Sequence, residues 1–206
     1  MNEINLIVFW YAIIFNAVFW IILIWRVVLM KKMSIKTMTI STKKKGRNIL
    51  SAVGFFGILG VWSILFIILA IFPQNIFILK SFWTINSFPF LTIIGLILGT
   101  IFQLIMWAGV ITMGKSWRIG IDDKNPDVLI TDGIFQYSRN PIFFGLDGIM
   151  IAVFLIHPNL FFLIFAFLTI IPIHFQILRE EKHLLLIYGK KYSDYMHNTP
   201  RYFLFL

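Results

Sequence analysis

The sequence contains no cysteine, and this absence excludes several kinds of site. Without thiols the chain can form no disulfide framework, no thiolate zinc site and no cysteine nucleophile. Charged residues are also scarce, at 13% of the chain, which is about half the share found in typical soluble domains. Acidic residues are the rarest of these, and eight of the nine lie from Asp122 onward. We therefore expect the polar chemistry in the second half of the chain.

Long apolar runs take the place of the missing charge. Hydrophobic residues make up 59% of the chain, and several runs reach roughly the 18 residues that a helix needs to cross a bilayer core. The sequence therefore predicts an all-α, polytopic membrane protein with five transmembrane helices. The predicted spans cover about residues 4–29, 49–72, 88–113, 142–156 and 159–177.

The last two predicted spans form a tight helical hairpin, because only residues 157–159 separate them. The fourth span is short and Pro172 interrupts the fifth, as is tolerated where a helix packs against protein or lines a cavity. A helical segment is expected to follow the fifth span. We expect residues 1–206 to form one membrane domain, in which the first three spans (1–111) precede a core (112–206).

The distribution of lysine and arginine predicts the orientation of the chain. Seven basic residues lie in segment 31–48, others lie in segment 114–141, and a third group follows the fifth span. Lys80 is the single basic residue of the opposite side. Because basic loops stay in the cytoplasm, we expect the N-terminus outside and the C-terminus inside. The net charge of +9 then indicates contact with membrane lipids rather than with nucleic acid.

Polar residues are concentrated in three pieces at the predicted cytoplasmic end. These pieces are GKSWRIGIDDKNPDVLITDG (114–133), YSRNPIF (137–143) and REEKHLLLIYGKKYSDY (179–195). The two limbs of the predicted hairpin have about the same length, roughly 25 Å each. The start of the fourth span and the Glu180–Glu181 pair should therefore lie next to each other at the same membrane depth.

Each piece also has a simpler structural interpretation. Asn140 followed by Pro141 is a typical start of a helix, with the amide as cap. Arg139 can extend its side chain to lipid phosphate. The Glu180–Glu181 pair can form a solvated helix face. These interpretations stand beside the functional one, in which the same residues bind a cofactor.

Two segments taken in order resemble a known superfamily. The segments LITDGIFQYSRNPIFFG (129–145) and EEKHLLLIYGKKYSDYMHNTPRY (180–202) resemble the isoprenylcysteine carboxyl methyltransferase and phospholipid methyltransferase superfamily of integral membrane enzymes. Those enzymes carry an Arg-His-Pro element, a later Glu-Glu pair and a closing segment with spaced tyrosines. The resemblance covers about residues 112–203.

The resemblance implies S-adenosylmethionine as the cofactor and a lipophilic or lipid-linked molecule as the methyl acceptor. It implies catalytic roles for Arg139 and Glu181. The cofactor-binding residues that it implies are Asp127, Val128, Leu129, Ile130, Phe135, Asn140, Pro141, Ile142, Phe143 and Glu180. The residues that it implies for substrate binding are Gln176, Trp117 and Arg118.

The chemistry of these residue types suits such a cofactor. Arg139 and the Asn140 amide can donate to a carboxylate beside the positive end of a helix dipole. Glu180 can accept from an ammonium group. Asn140 stands where the superfamily has a histidine, and Gln176 stands where the prenylcysteine enzymes have a substrate-binding arginine. A prenylcysteine carboxylate would therefore lose its binding cation here.

The identity of the acceptor decides whether a base is needed. A carboxylate acceptor needs none, whereas an amine needs a proton acceptor, for which Glu181, Asp147 and His174 are the candidates. Asp147 lies about two turns into the fourth span. It could face a wet cavity, pair with Arg139 or be protonated, and the sequence leaves these alternatives open.

Two other functions remain as alternatives. An NADPH-dependent membrane reductase of the steroid-reductase-like fold would use clustered cations, such as Arg118, Lys124 and Arg139, near the cofactor phosphate. A non-enzymatic helical membrane scaffold would bind no cofactor and would tolerate Glu180→Ala. Neither a metal site nor a nucleic-acid partner is expected, and the active site is expected at the cytoplasmic face.

Overall fold

The structure is a computed structural model, and it describes residues 3–33, 45–71, 89–116 and 128–203. The regular elements in these ranges are all helical, which confirms the predicted all-α class. The α-helices are α1 (Glu3–Lys32), α2 (Lys45–Ile71), α3 (Pro89–Met113), α4 (Pro141–Ile156), α5 (Leu160–Tyr188) and α6 (Lys190–Asn198). Short 3₁₀ turns occupy Gly114–Ser116 and Gly133–Gln136.

Each of the five predicted spans coincides with one of these helices. Three helical stretches are long and apolar enough to cross a membrane: Glu3–Lys32, Pro89–Ser116 and Leu160–Tyr188. The stretches Leu59–Ile71 and Pro141–Ile156 are apolar but shorter. The chain is therefore an integral membrane protein by the length and composition of its helices, while the count of five crossings stays a prediction.

Helix α5 differs from the prediction in its length. The sequence placed the end of the fifth span near residue 177, with an interruption at Pro172. In the structure α5 continues through Pro172 to Tyr188. A proline removes one backbone hydrogen bond, and in an apolar environment the remaining backbone bonds keep the segment helical. Glu180 and Glu181 consequently lie on the same continuous helix as the predicted span.

The described helices form two compact units, one with α1 and α2 and the other with α3 to α6. Within the first unit, Trp20 Nε1 donates a hydrogen bond to Ser63 Oγ at 3.1 Å. The rings of Phe15 and Phe66 meet edge to face there, with centroids 6.4 Å apart. All residues of the predicted site that the structure describes lie in the second unit.

Close packing of α3 against α4 organises the second unit. Glycine at position 145 leaves no room for a side chain, because a Cβ there would lie 2.6 Å from Met106 Cβ and 2.7 Å from the Phe102 carbonyl oxygen. Gly95 on α3 makes a similar approach to the Ala152 carbonyl oxygen, at 2.8 Å. Small residues allow helix backbones to approach in this way in membranes. The third helix is thus packed against the predicted core.

The turn between α4 and α5 is closed by Asn159. Its side-chain oxygen accepts a hydrogen bond from the Phe162 amide at 2.9 Å, which caps the start of α5. Three residues separate Ile156, the last residue of α4, from Leu160, the first of α5. This short connection returns α5 along α4 and brings the two polar ends of the hairpin together.

Candidate active site

The carboxylate of Glu181 is the centre of a buried ion cluster. Its Oε1 accepts hydrogen bonds from Arg139 Nε at 3.0 Å and from Asn140 Nδ2 at 3.1 Å. Its Oε2 accepts from Arg201 Nε at 3.0 Å and pairs with Arg201 Nη2 at 2.9 Å. The Arg139 and Glu181 side chains are 8% and 5% exposed. Four donors therefore compensate the cost of burying this carboxylate.

Arg139 also holds the C-terminal segment. Its Nη1 donates to the carbonyl oxygens of Met196 and Thr199, at 3.0 Å and 2.7 Å. Its backbone amide donates to the Pro200 carbonyl oxygen at 2.9 Å. Because the same guanidinium bonds Glu181, this one side chain ties the end of α6 to the hairpin. Lipid phosphate, the partner offered by the simpler interpretation, is replaced here by groups of the chain itself.

Asn140 occupies the cap position of α4 without capping it. Pro141 follows at the first helical position, as predicted, but the Asn140 side chain makes no capping hydrogen bond. Its amide donates instead to Glu181 and to the Arg201 carbonyl oxygen, the latter at 3.3 Å. The buried Ser138 hydroxyl donates to the same carbonyl oxygen at 3.2 Å. The capping interpretation is therefore wrong for the side chain of Asn140, and the helix-start interpretation is right for Pro141.

The two adjacent glutamates have different partners. Neighbouring residues on a helix point about 100° apart, so Glu180 does not share the environment of Glu181. Glu180 Oε1 accepts a hydrogen bond from Gln176 Nε2 at 2.7 Å, one turn earlier on α5. Gln176, predicted to bind substrate, is thus a partner of the glutamate predicted to bind the cofactor.

Aromatic residues near the cluster are held by the fold. Phe135, in the second 3₁₀ turn, is buried, and its carbonyl oxygen accepts a hydrogen bond of 2.6 Å from the Tyr195 hydroxyl. Burial raises the pKa of that hydroxyl above its usual range, so Tyr195 remains a donor at neutral pH. Phe143, at the start of α4, is half-buried.

The remaining predicted site residues are distributed unevenly. Pro141 and Ile142 approach Gly109 of α3, where a Cβ would meet both of them. Val128 is 74% exposed, whereas Leu129 and Ile130 are half-buried. Three predicted residues lie outside the described part of the chain: Asp127, Trp117 and Arg118.

A second polar group lies farther along the hairpin. His174 Nδ1 and the Tyr202 hydroxyl share a hydrogen bond of 2.9 Å. Burial raises the pKa of Tyr202, and the nearby Asp147 carboxylate raises it further. Asp147 Oδ1 is buried and has no hydrogen-bond partner among the residues that the structure describes. In the same part of the chain no three His, Asp or Glu side chains gather as a metal site would require.

Sequence reasoning missed the residues that the C-terminal segment contributes. Arg201 and Tyr202 reach the cluster and the second polar group, respectively, from beyond α6. Their only signal in the sequence was their place in the closing segment of the resemblance, which gives no indication of the partner. Ser138 gave no signal beyond its position beside Arg139.

Apolar helices of membrane length and a buried ionic cluster at one end of a hairpin define an integral membrane protein with a polar site. The family model for phospholipid methyltransferases matches residues 62–191, which is more than half of the chain. The chain therefore belongs to the phospholipid methyltransferase family, which confirms the resemblance found in the sequence. Comparisons with curated proteins and with solved structures give no match.

Proposed function

We propose that this protein transfers a methyl group from S-adenosylmethionine to a lipophilic or lipid-linked acceptor at the cytoplasmic face of a membrane. Membership of a methyltransferase family supports the reaction class. The observation that carries the proposal is the hydrogen bond between Asn140 and Glu181. It brings the start of α4 and the glutamate pair of α5, the two segments that the resemblance associates with the cofactor, to one end of one hairpin.

The residues at this end suit the charges of the proposed cofactor. The Asn140 side chain leaves the first-turn amides of α4 uncapped, so Ile142 and Phe143 can present backbone N–H groups to a carboxylate at the positive end of the helix dipole. Glu180 supplies a carboxylate for an ammonium group. Phe135 and Phe143 supply aromatic rings for an adenine or a sulfonium. When bound, S-adenosylmethionine supplies the electrophilic methyl group.

Arg139 and Glu181 have a positioning role in this proposal. The sequence assigned catalytic roles to them, but their bonds go to each other, to Asn140, to Arg201 and to carbonyl groups of the C-terminal segment. Such bonds fix the distance between α4, α5 and the tail. Holding reactants in one geometry and excluding water contribute much of the rate of a displacement reaction. The cluster thus supports the site without contacting the reacting atoms.

The proposed acceptor site lies toward the bilayer. Gln176 carries no cation and bonds Glu180, so an acceptor carboxylate finds no positive partner at that position. We assign Gln176, Trp117 and Arg118 to the acceptor as proposals. The basic segments support a topology of five spans with the N-terminus outside and the C-terminus in the cytoplasm. A reporter fused after residue 206 that is active only in the cytoplasm tests that orientation.

Titration calorimetry of the detergent-purified protein tests the proposed function. We expect S-adenosylhomocysteine, the product form of the cofactor, to bind with a single saturable isotherm, and NADPH to give no saturable heat. Binding of NADPH without S-adenosylhomocysteine would establish a reductase instead. Absence of binding for both, in protein that elutes as one folded species, would favour a scaffold.

A further inference from the structure

The register of the hairpin creates a second level of polar residues inside the membrane-spanning region. Asn140 and Glu181 define the first level by their hydrogen bond. Seven residues further along α4 stands Asp147, and seven residues before Glu181 on α5 stands His174. Seven residues are about two helical turns, or roughly 10 Å. Because both limbs advance equally from the bonded pair, Asp147 and His174 lie at the same depth.

Tyr202 connects this second level to the tail. Its hydroxyl is 2.9 Å from His174 Nδ1, and the two rings stack with centroids 6.4 Å apart. The influence of the Asp147 carboxylate on the Tyr202 hydroxyl places the carboxylate near the same tyrosine. A residue that is remote in the chain therefore lies between the two limbs of the hairpin.

The Asp147 carboxylate lacks a donor for one of its oxygens. Oδ1 is buried, and no described residue donates a hydrogen bond to it. By contrast, both oxygens of Glu181 are satisfied. A buried carboxylate oxygen without a donor is costly, so an occupant that brings a proton or a positive charge would relieve the cost.

Aromatic rings surround the same position. Phe144 lies between Asn140 and Asp147 on one face of α4, since spacings of four and three residues fall on one face. Its ring centroid is 6.2 Å from that of Tyr202 and 4.9 Å from that of Phe203. A carboxylate beside aromatic faces is the combination that attracts an ammonium group, through charge and through cation–π interaction.

We propose that Asp147, together with Phe144, Tyr202 and His174, binds the methyl acceptor, and that the acceptor carries an ammonium group on an apolar tail. This assignment rests on the proposed function. An acceptor carboxylate would face a like charge at Asp147, whereas an ammonium supplies the missing donor. The depth of Asp147 allows an apolar tail to extend from the site into the bilayer.

The assignment gives Asp147 a chemical task as well as a binding task. A protonated amine has no lone pair, so its proton passes to the Asp147 carboxylate before the transfer. The freed lone pair then forms the nitrogen–carbon bond while the carbon–sulfur bond of the methyl donor breaks and its electron pair stays on sulfur. The products are the methylated ammonium, the thioether and a protonated Asp147, which returns its proton to water.

Binding of simple amphiphiles, without the methyl donor, tests this assignment. The protein is placed in phosphatidylcholine nanodiscs, and affinities for dodecylamine and dodecanoate are measured by ligand-induced shifts in thermal unfolding. We expect dodecylamine to bind at least about tenfold more tightly than dodecanoate, and Asp147→Asn to reduce its affinity by roughly 10–100-fold, as for a lost charged hydrogen bond. Tyr202→Phe, which keeps the ring, should retain most of that affinity.

Asp194→Asn is the matched control, because it makes the same chemical change at an exposed aspartate of α6. Its affinity for dodecylamine should equal that of the wild type. Equal binding of the two amphiphiles, or an amine preference that survives Asp147→Asn in folded protein, overturns the assignment. S-adenosylhomocysteine binding separates the two proposals: if the wild type does not bind it, the proposed function fails even when the amine preference is present.

Discussion

Asn140 and Glu181 stand 41 residues apart in the chain and share a hydrogen bond of 3.1 Å. The bond joins the first residue before α4 to the polar end of α5, so it fixes the register of the whole hairpin. Arg139, the neighbour of Asn140, donates to the same carboxylate oxygen. Two consecutive residues therefore hold one glutamate, and the predictions below follow from that arrangement.

Replacing Glu181 should destabilise the protein. Glu181→Ala removes the acceptor for Arg139, Asn140 and Arg201 and leaves buried donors unpaired, so we expect a loss of about 3–5 kcal/mol in the free energy of unfolding. Thermal unfolding in detergent measures the change. Lys182→Ala, at the exposed next position of α5, is the control and should change stability little. Equal melting temperatures for the two variants would contradict the role given to the cluster.

Replacing Glu180 should affect ligand binding rather than stability. Glu180→Gln keeps the size and the hydrogen-bonding oxygen that Gln176 uses, but it removes the charge proposed to meet the cofactor ammonium. We expect S-adenosylhomocysteine to bind more weakly by roughly 1–3 kcal/mol, with a nearly unchanged melting temperature. Calorimetry on the same preparation measures the affinity. Full affinity in the charge-free variant would mean that the ammonium is held elsewhere.

Removing the Asn140 amide should affect both properties, because the amide positions the start of α4. Asn140→Ala is expected to weaken S-adenosylhomocysteine binding by roughly 1–3 kcal/mol and to lower stability as well. A double-mutant cycle of Asn140→Ala with Glu181→Ala isolates their interaction, and we expect a coupling energy of about 0.5–3 kcal/mol in stability. Strictly additive effects would show that the hydrogen bond contributes nothing of its own.

Packing of α3 on α4 should tolerate no side chain at Gly145. Gly145→Ala places a methyl group against the Phe102 carbonyl oxygen and the Met106 backbone, and we expect destabilisation of about 1–3 kcal/mol. Gly60→Ala on α2 is the matched control, since a Cβ there meets nothing within 4 Å. It should leave stability unchanged or raise it by about 0.5–1 kcal/mol. A rank order opposite to this one in thermal unfolding would contradict the close approach of the two helices.

Much of the hairpin could be predicted from local sequence. The apolar runs gave the positions of α4 and α5, and the equal length of the limbs gave the proximity of Asn140 to the glutamate pair. The prediction did not distinguish the glutamates: Glu180 was chosen for the polar partners of Asn140, but Glu181 is the residue that Asn140 contacts. Adjacent helical positions differ by about 100° in direction, and that direction depends on how the helix is rotated about its axis.

Hydrophobic length and the scarcity of charge determined the class of this protein, because they depend on the solvent that each segment requires and on nothing more distant. The motifs likewise determined the family, which their order along the chain is enough to indicate. Tertiary structure alone decided that the tail returns to place Arg201 on Glu181 and Tyr202 on His174. It also decided that Asn140 bonds a glutamate instead of capping its own helix. These partners are selected by the mutual burial of charges from remote segments, and local sequence does not contain that information.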